Sequence, residues 1–389
     1  MVLELAHKYH PYMVDLRRHF HMHPELSFHE VETSKRVQAE LTKLGIPFQV
    51  VPGSNCVVGT IEGGKPGKTL ALRADMDALS IQELSDPPYK STVPGAMHAC
   101  GHDGHTAALL GAAHILMDCR DQLQGTVKLF FESGEELGGS MDTLEKEGFL
   151  KGLDNCFGIH IWADVPVGKI SCEPGARMAG TDLFTLKITG KGAHASTPNQ
   201  GVDAIVAAAS VIMNLQTIVS RELFPQDVGV ITIGKLTAGQ RFNSIADEAI
   251  LEGNLRSFDP VIRDNYCNMI NRVAENTAAA FRAKSDMIYY LKGTPPLINT
   301  KEGADFGKSV AVKLLGEDCV ADLPPLMAGE DFATFMEKVG GTFMFVGGGF
   351  PDRENAPHHN GNFDIHEDSL WITAAIHAQY AIDYLRQDP

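Results

Sequence analysis

Positive charge is scarce in this chain: 33 lysines and arginines stand against 49 aspartates and glutamates, a net −16 with histidine neutral. A surface that acidic repels phosphate backbones and argues against nucleic acid as a partner. No run approaches the roughly 18 uninterrupted apolar residues of a spanning helix, so no membrane partner is expected. The opening stretch MVLELAHKYHPYMVDLRRHF carries acids and histidines where a signal peptide needs an apolar core, and the expectation is a cytoplasmic protein. Cysteine is sparse. Seven thiols, an odd number scattered over 389 residues, do not form a disulfide framework. Internal repeats and low-complexity tracts are missing too. What is present is ordinary for a soluble globular chain, 44% hydrophobic and 21% charged residues, which is enough to bury a sizeable core. At roughly 100–200 residues per domain, the length favours two domains or one body with an inserted module.

The pattern from Val2 to Leu44 reads as helix, broken at His23-Pro24 and resumed over Glu30–Leu44. Short β-like runs follow at 56–61, 69–73, 126–131 and 157–161, and the small apolar run His105–Met117 reads as a helix between them. Strands alternating with helices predict an α/β body with a mixed, largely parallel sheet flanked by helices. Near residue 180 the texture changes. Asp182–Thr189 alternates polar and apolar, as a strand with one wet face does. A helix over 203–219, strands over 228–236 and 248–256, a helix over 261–281 and a strand over 285–290 complete a β-α-β-β-α-β order, a ferredoxin-like α+β module. Thr294-Pro295-Pro296 marks its exit. The expected domains are therefore 1–180 with 294–389, and an insertion at 181–293.

Four clusters could carry chemistry. In Met97-His98-Ala99-Cys100-Gly101-His102-Asp103, a thiol and an imidazole two residues apart can converge on one metal, because Gly101 adds no side chain to crowd them. The same residues could be a polar turn with Asp103 as helix N-cap. Glu135-Glu136 follows the apolar strand 126–131 directly, where active sites of α/β sheets gather, although a bare pair of glutamates is more often an exposed turn. His160 lies inside an apolar strand, where a satisfied core histidine is the commoner case. His358-His359 sits in a loop and could equally be solvated. Together these positions supply the Cys, His and Glu donors that a two-metal hydrolytic site needs.

The motifs MHACGHDGHTA, GEE after a strand, GIHIW, GAHAS-P, NSI…GNLR and HHNGNFDIHE occur in this order. The chain thereby resembles the metal-dependent aminoacylase and carboxypeptidase superfamily, in its amidohydrolase branch, which includes hippurate hydrolase, N-acyl-amino-acid amidohydrolases and plant auxin-conjugate hydrolases. The likeness runs from His19-Phe20-His21-Met22-His23-Pro24-Glu25 to the C-terminal helix. It implies a dinuclear centre with Cys100, His102, Glu136, His160 and His359 as ligands, Cys100 bridging, and Glu135 as general base. His359 is chosen over His358 because the branch places its histidine just before an asparagine or small polar residue. Asp75, in Arg73-Ala74-Asp75, matches the superfamily's His-x-Asp element with arginine in the histidine's place, which leaves Asp75 to support the ligands from behind. The branch usually shows Gln-Pro-Ala before its two glutamates, and this chain has Glu132-Ser133-Gly134.

The inserted module resembles the branch's lid or dimerisation domain, which implies a homodimer or higher homo-oligomer. The resemblance implies that His194 reaches the active site of the partner subunit as oxyanion donor, where the residues alone allow a simple turn histidine. Asn243 and Arg256 match positions on the substrate carboxylate side, where Arg256 alone reads equally as a surface ion pair. Two divalent ions are expected, zinc or manganese first, with cobalt or nickel also admitted by the donor set. The implied reaction is hydrolysis of an N-acyl amino acid to a carboxylic acid and a free amino acid. A metallocarboxypeptidase or dipeptidase acting on short peptides is the rival with the same site. A thiol hydrolase using Cys100 as nucleophile is a rival of another class, and a non-catalytic binding protein on this scaffold is the third.

Overall fold

The computed structural model describes residues 1–387. The chain forms two compact units, one from Met1–Gly175, Asn299–Pro324 and the stretch beginning at Asp331, the other from Ala176–Ile298 and Pro325–Glu330.

The first unit begins with α1 (Val2–Met22) and α2 (Val31–Lys43), separated at the His23-Pro24 break. Strands β1 (Phe48–Val50), β2 (Val57–Glu62) and β3 (Lys65–Asp75) follow, then α3 (His102–Asp118), β4 (Gln124–Glu132), β5 (Asn155–Pro166) and the short β6 (Ile170–Ser171). In the second unit, β7 (Gly180–Thr189), α4 (Ala204–Thr217), β8 (Gly229–Ala238), β9 (Glu248–Ser257), α5 (Pro260–Ala280) and β10 (Lys284–Lys292) succeed one another. The chain then returns to the first unit with α6 (Lys301–Leu315), α7 (Phe332–Val339), β11 (Gly341–Gly349) and α8 (Asp368–Leu385).

Seven strands of the first unit form one sheet in the order β1-β2-β4-β3-β5-β11-β6. Its centre is parallel, through β4–β3, β3–β5 and β5–β11, and its edges are antiparallel. Parallel strands need both faces covered, and β3 and β5 accordingly contain continuous buried runs. Helix α3 is buried almost all round because its residues from Thr106 to Ala113 are small or aliphatic. It packs against α1 and α8, and Phe157 of β5 stacks flat on Tyr380 of α8 at 3.8 Å. The carboxyl ends of β3 and β4 and the N-terminus of α3 bring the chemistry-bearing loops to one edge of this sheet.

The second unit is a four-stranded antiparallel sheet in the order β8-β9-β7-β10, with α4 and α5 packed on it. The β-α-β-β-α-β order with the first strand inside the sheet is the ferredoxin-like arrangement. Both helices start where the sequence supplies a cap: the Asp203 side chain accepts from Ile205 and Val206 N–H, and Asp259 from Val261 and Ile262 N–H. The stretch Ala204–Glu222 is long and apolar enough to cross a membrane by length and composition, yet its Ala207, Ala208, Val211, Leu215 and Ile218 are buried in this unit's core.

Candidate metal centre

Helix α3 opens at the centre of the site. Gly101 is its N-cap at φ +95°, a left-handed turn that glycine adopts without strain. Asp103 therefore stands in the first turn rather than at the cap, and its carboxylate accepts from Arg17 Nε at 2.9 Å and lies 2.8 Å from His21 Nδ1. Arg17 also donates to Asp364 at 2.8 Å, tying the Cys100 loop and the His359 loop to the same helix. The backbone N–H of His359 donates to the Ala99 carbonyl at 2.8 Å, which joins those two loops directly.

The donor atoms converge. Cys100 Sγ lies 3.5 Å from His160 Nε2, while His160 Nδ1 faces its neighbour's carbonyl, Ile161 O, at 2.9 Å. That bond holds the proton on Nδ1 and leaves Nε2 as a lone-pair donor. On His102, Nδ1 is tied to Asp77 Oδ1 at 3.1 Å, so Nε2 is again the free atom. It lies 4.0 Å from both Glu135 Oε2 and Glu136 Oε1. Glu136 Oε1 lies 3.1 Å from His359 Nε2. The liganding atoms of Cys100, Glu136 and His359 all fall within 4.8 Å of one another, as do those of His102, Glu135 and Glu136.

Two observations test whether a cation fits. His102 Nε2 and Glu136 Oε1 are buried without a hydrogen bond among the described residues, a state that costs free energy unless another group completes it. The second is electrostatic. Burial, and then the Glu136 carboxylate, push the Cys100 thiol well above its ordinary value. Burial also works against charge on His102, yet Asp75 and Cys100 outweigh it and hold this imidazole well above its usual range. A thiol, imidazoles and carboxylates gathered in low dielectric are what a divalent ion relieves, and the donor set fits one. The same elevation argues against Cys100 as an unaided thiol nucleophile, which needs a depressed value.

The surrounding residues fix this arrangement. Asp75 is fully buried, accepts from Arg73 at 2.8 Å and lies 2.6 Å from His105 Nδ1. Burial raises its pKa, but His102 and His105 hold it well below the usual carboxylate range. His105 accepts from the Ile161 N–H through Nε2 at 2.8 Å, so both its nitrogens are engaged although it lies within ligand reach of Asp75 and His102. The departure at Glu132-Ser133-Gly134 has a local role. Glu132 accepts from Arg73 at 2.6 Å, and Glu30 receives the Ser133 hydroxyl at 2.5 Å and the Gly134 N–H at 2.8 Å. Gly134 has φ +78°, and a Cβ there would fall 2.4 Å from the Phe28 ring.

Comparison with known proteins agrees with this geometry. Residues 71–383 match the model of peptidase family M20/M25/M40. The chain belongs to that family. It is 42% identical to the putative amidohydrolase YhaA of Bacillus subtilis, over 96% of this chain and 94% of that protein. It is 40% identical to the IAA-amino acid hydrolase ILR1-like 2 of Arabidopsis thaliana, over 97% and 86%. The solved structure of Bacillus subtilis YXEP, titled a dinuclear metal binding peptidase from the M20 family, superposes with a TM-score of 0.87 at 32% identity, covering 98% of this chain and 99% of that one. This M20/M25/M40 peptidase is thus a metal-dependent hydrolase acting on C–N bonds, in the amidohydrolase branch.

The structure brings Cys100, His102, Glu135, Glu136, His160 and His359 together in the first unit of the M20/M25/M40 fold. The three remaining positions lie in the second unit. Residues Ala193–His194 pair with Ser244–Ile245, and the Asn243 carbonyl accepts from Ala195 N–H at 3.2 Å. His194 is exposed, and its Nδ1 accepts the Ser196 N–H at 3.1 Å, which leaves Nε2 to carry the ring's proton outward. Arg256 is half-buried, donates to Thr181 Oγ1 at 2.6 Å, and has no carboxylate partner among the described residues. Sequence reasoning gave Asp77 and His105 no role, although Asp77 stands two residues beyond Asp75 at a strand end, and it set His358 aside in favour of His359.

Proposed function

We propose that this peptidase hydrolyses the amide bond of N-acyl amino acids, releasing a carboxylic acid and a free amino acid. The reading rests on one observation above all, the convergence of Cys100, His102, Glu135, Glu136, His160 and His359, with His102 Nε2 and Glu136 Oε1 buried without a hydrogen bond among the described residues. Cys100, His102, Glu136, His160 and His359 would hold two divalent ions, zinc or manganese. When bound, such ions supply the positive charge that makes water a nucleophile near neutral pH and polarises the substrate carbonyl. Glu135 takes the proton of the attacking water and later delivers it to the leaving nitrogen. Its carboxylate is steadied by the Asp331 N–H at 3.3 Å. His194 donates to the developing oxyanion in the site of a partner copy, and Arg256 with Asn243 receives the substrate carboxylate. Asp75 supports the imidazoles of His102 and His105.

In this reading, residues 1–180 and 294–389 are the catalytic domain and 181–293 the lid. Two copies pair through the lid, which is supported by the outward apolar side chains Ile205, Val206 and Met213 of α4, exposed by 43%, 48% and 70%. The free thiols of all seven cysteines support cytoplasmic residence. The name of the plant relative is the support for an acyl amino acid over a peptide. The test is a panel of N-acyl amino acids and dipeptides given to chelator-stripped protein before and after zinc or manganese is restored. Metal-restored release of amino acids from the acyl substrates is the expected result. Preference for dipeptides would move the activity to the peptidase side, and cleavage indifferent to stripping would end the dinuclear reading.

A further inference from the structure

Cys100 has a neighbour that the ligand set leaves unused. His358 precedes the ligand candidate His359, but its side chain is half-buried and its Nδ1 lies 3.8 Å from Cys100 Sγ. Across the ring, Nε2 accepts the Ala163 backbone N–H at 3.1 Å. The imidazole also lies on the Trp162 indole, with ring centroids 4.0 Å apart and planes at 22°, so its rotation is blocked on a face as well as at an edge. A ring nitrogen that accepts an N–H carries no proton, and the proton of a neutral imidazole must then sit on the other nitrogen. Here that other nitrogen is the one facing sulfur.

Cys100, His160 and His358 do present three donor atoms within 4.8 Å of one another, which on distance alone would make His358 a ligand. The Ala163 N–H decides against it. Ligation through Nδ1 would move the ring proton to Nε2 and set two N–H groups against each other at 3.1 Å. We propose that His358 donates an N–H···S hydrogen bond to the Cys100 thiolate and is a positioning residue that tunes this sulfur without touching metal. The proposal rests on the reading of Cys100 as a metal ligand. Such a bond draws charge from sulfur, weakens its donation to the ions and leaves them more electrophilic toward the substrate. It also orients the thiolate lone pairs, as donor bonds do for other buried anionic ligands.

The experiment replaces the native ions with cobalt(II) in the full-length protein and follows the near-ultraviolet thiolate-to-cobalt charge-transfer band in the wild type, His358→Leu and His358→Gln, with cobalt per chain measured in each. The expected result is an unchanged cobalt content, a band moved to longer wavelength in His358→Leu because the sulfur electrons are held less tightly, and partial return in His358→Gln, whose amide can donate. A second measurement needs no variant: long-range ¹⁵N–¹H spectra of the cobalt-free and zinc-loaded wild type, with imidazoles labelled, should show His358 as the Nδ1–H tautomer. An unmoved band, loss of one cobalt in His358→Leu, or an Nε2–H tautomer would each overturn the proposal. A wild-type cobalt protein with no thiolate band would instead remove Cys100 from the ligand set, and the proposal would fall with it.

Discussion

Asp77 is where the metal ligands are most exposed to a single change. Its Oδ1 faces His102 Nδ1 at 3.1 Å, and its Oδ2 receives the Ser27 hydroxyl at 2.7 Å and the Glu136 N–H at 3.1 Å. The carboxylate is buried, which raises its pKa, but the bond and charge of His102 and the Ser27 hydroxyl outweigh burial and keep it ionised. One side chain thus fixes both the ring that offers Nε2 and the backbone of the residue that offers Oε1. Asp77→Ala removes all three bonds and leaves their donors buried. At about 1–3 kcal/mol per unsatisfied donor, partly recovered by relaxation, the loss is about 3–5 kcal/mol of stability. Asp77→Asn keeps the shape but turns one acceptor into an NH₂ group, so either His102 or the Ser27–Glu136 pair loses its partner. Loss of an outer partner of this kind typically weakens metal binding about 10–100-fold, or about 1.4–2.7 kcal/mol. Competition with a chromophoric chelator reads the affinity, and thermal melting of the metal-free proteins reads the structural loss separately. Should Asp77→Asn and Asp77→Ala hold zinc as tightly as wild type, Asp77 does not position the ligands and the argument from these bonds is wrong.

Glu135→Gln should retain both ions by elemental analysis while kcat falls by about 10²–10⁴-fold, the range for a lost general base; turnover within tenfold of wild type would remove Glu135 from that role. Arg73 sits buried among Asp75, Glu132 and Asp331, at 2.8, 2.6 and 2.9 Å. Arg73→Met leaves those acids without their shared cation and should lower stability by about 3–5 kcal/mol, or about 10 °C in Tm, and an unchanged melting curve would contradict it. His377 is buried in α8, and burial, with His105 adding to it, holds its pKa down to about 3. Above about pH 6.5 it is neutral folded or unfolded and contributes nothing to pH dependence. As pH falls from about 6.5 towards 3, only the unfolded chain takes up the proton, so stability is lost across that window, by at most about 5 kcal/mol. His377→Leu in metal-free protein should therefore unfold at lower pH than wild type, and an unmoved acid midpoint would refute the assignment.

Local pattern carried much of this protein. The break at His23-Pro24, the caps Asp203 and Asp259, and the switch from buried strands to alternating ones near residue 180 are signals a few residues long, and the elements form where those signals lie. Strand order was not legible in that way. That β4 lies between β2 and β3, and that β11 returns beside β5, depends on which apolar faces meet across 57 to 185 residues, and period alone does not encode partner choice. The site divides along the same line. Cys100, His102, Glu135, Glu136, His160 and His359 could be named because their types and spacing recur as motifs. Which ring nitrogen each histidine offers could not. His102 is set by Asp77, His105 by Asp75 and Ile161, and His358 by Ala163 and Trp162, partners that lie 25 to 196 positions away in the chain. Residue identity supplies the donors, whereas their protonation and aim are properties of the hydrogen bonds around them, and those exist only once the tertiary fold has closed.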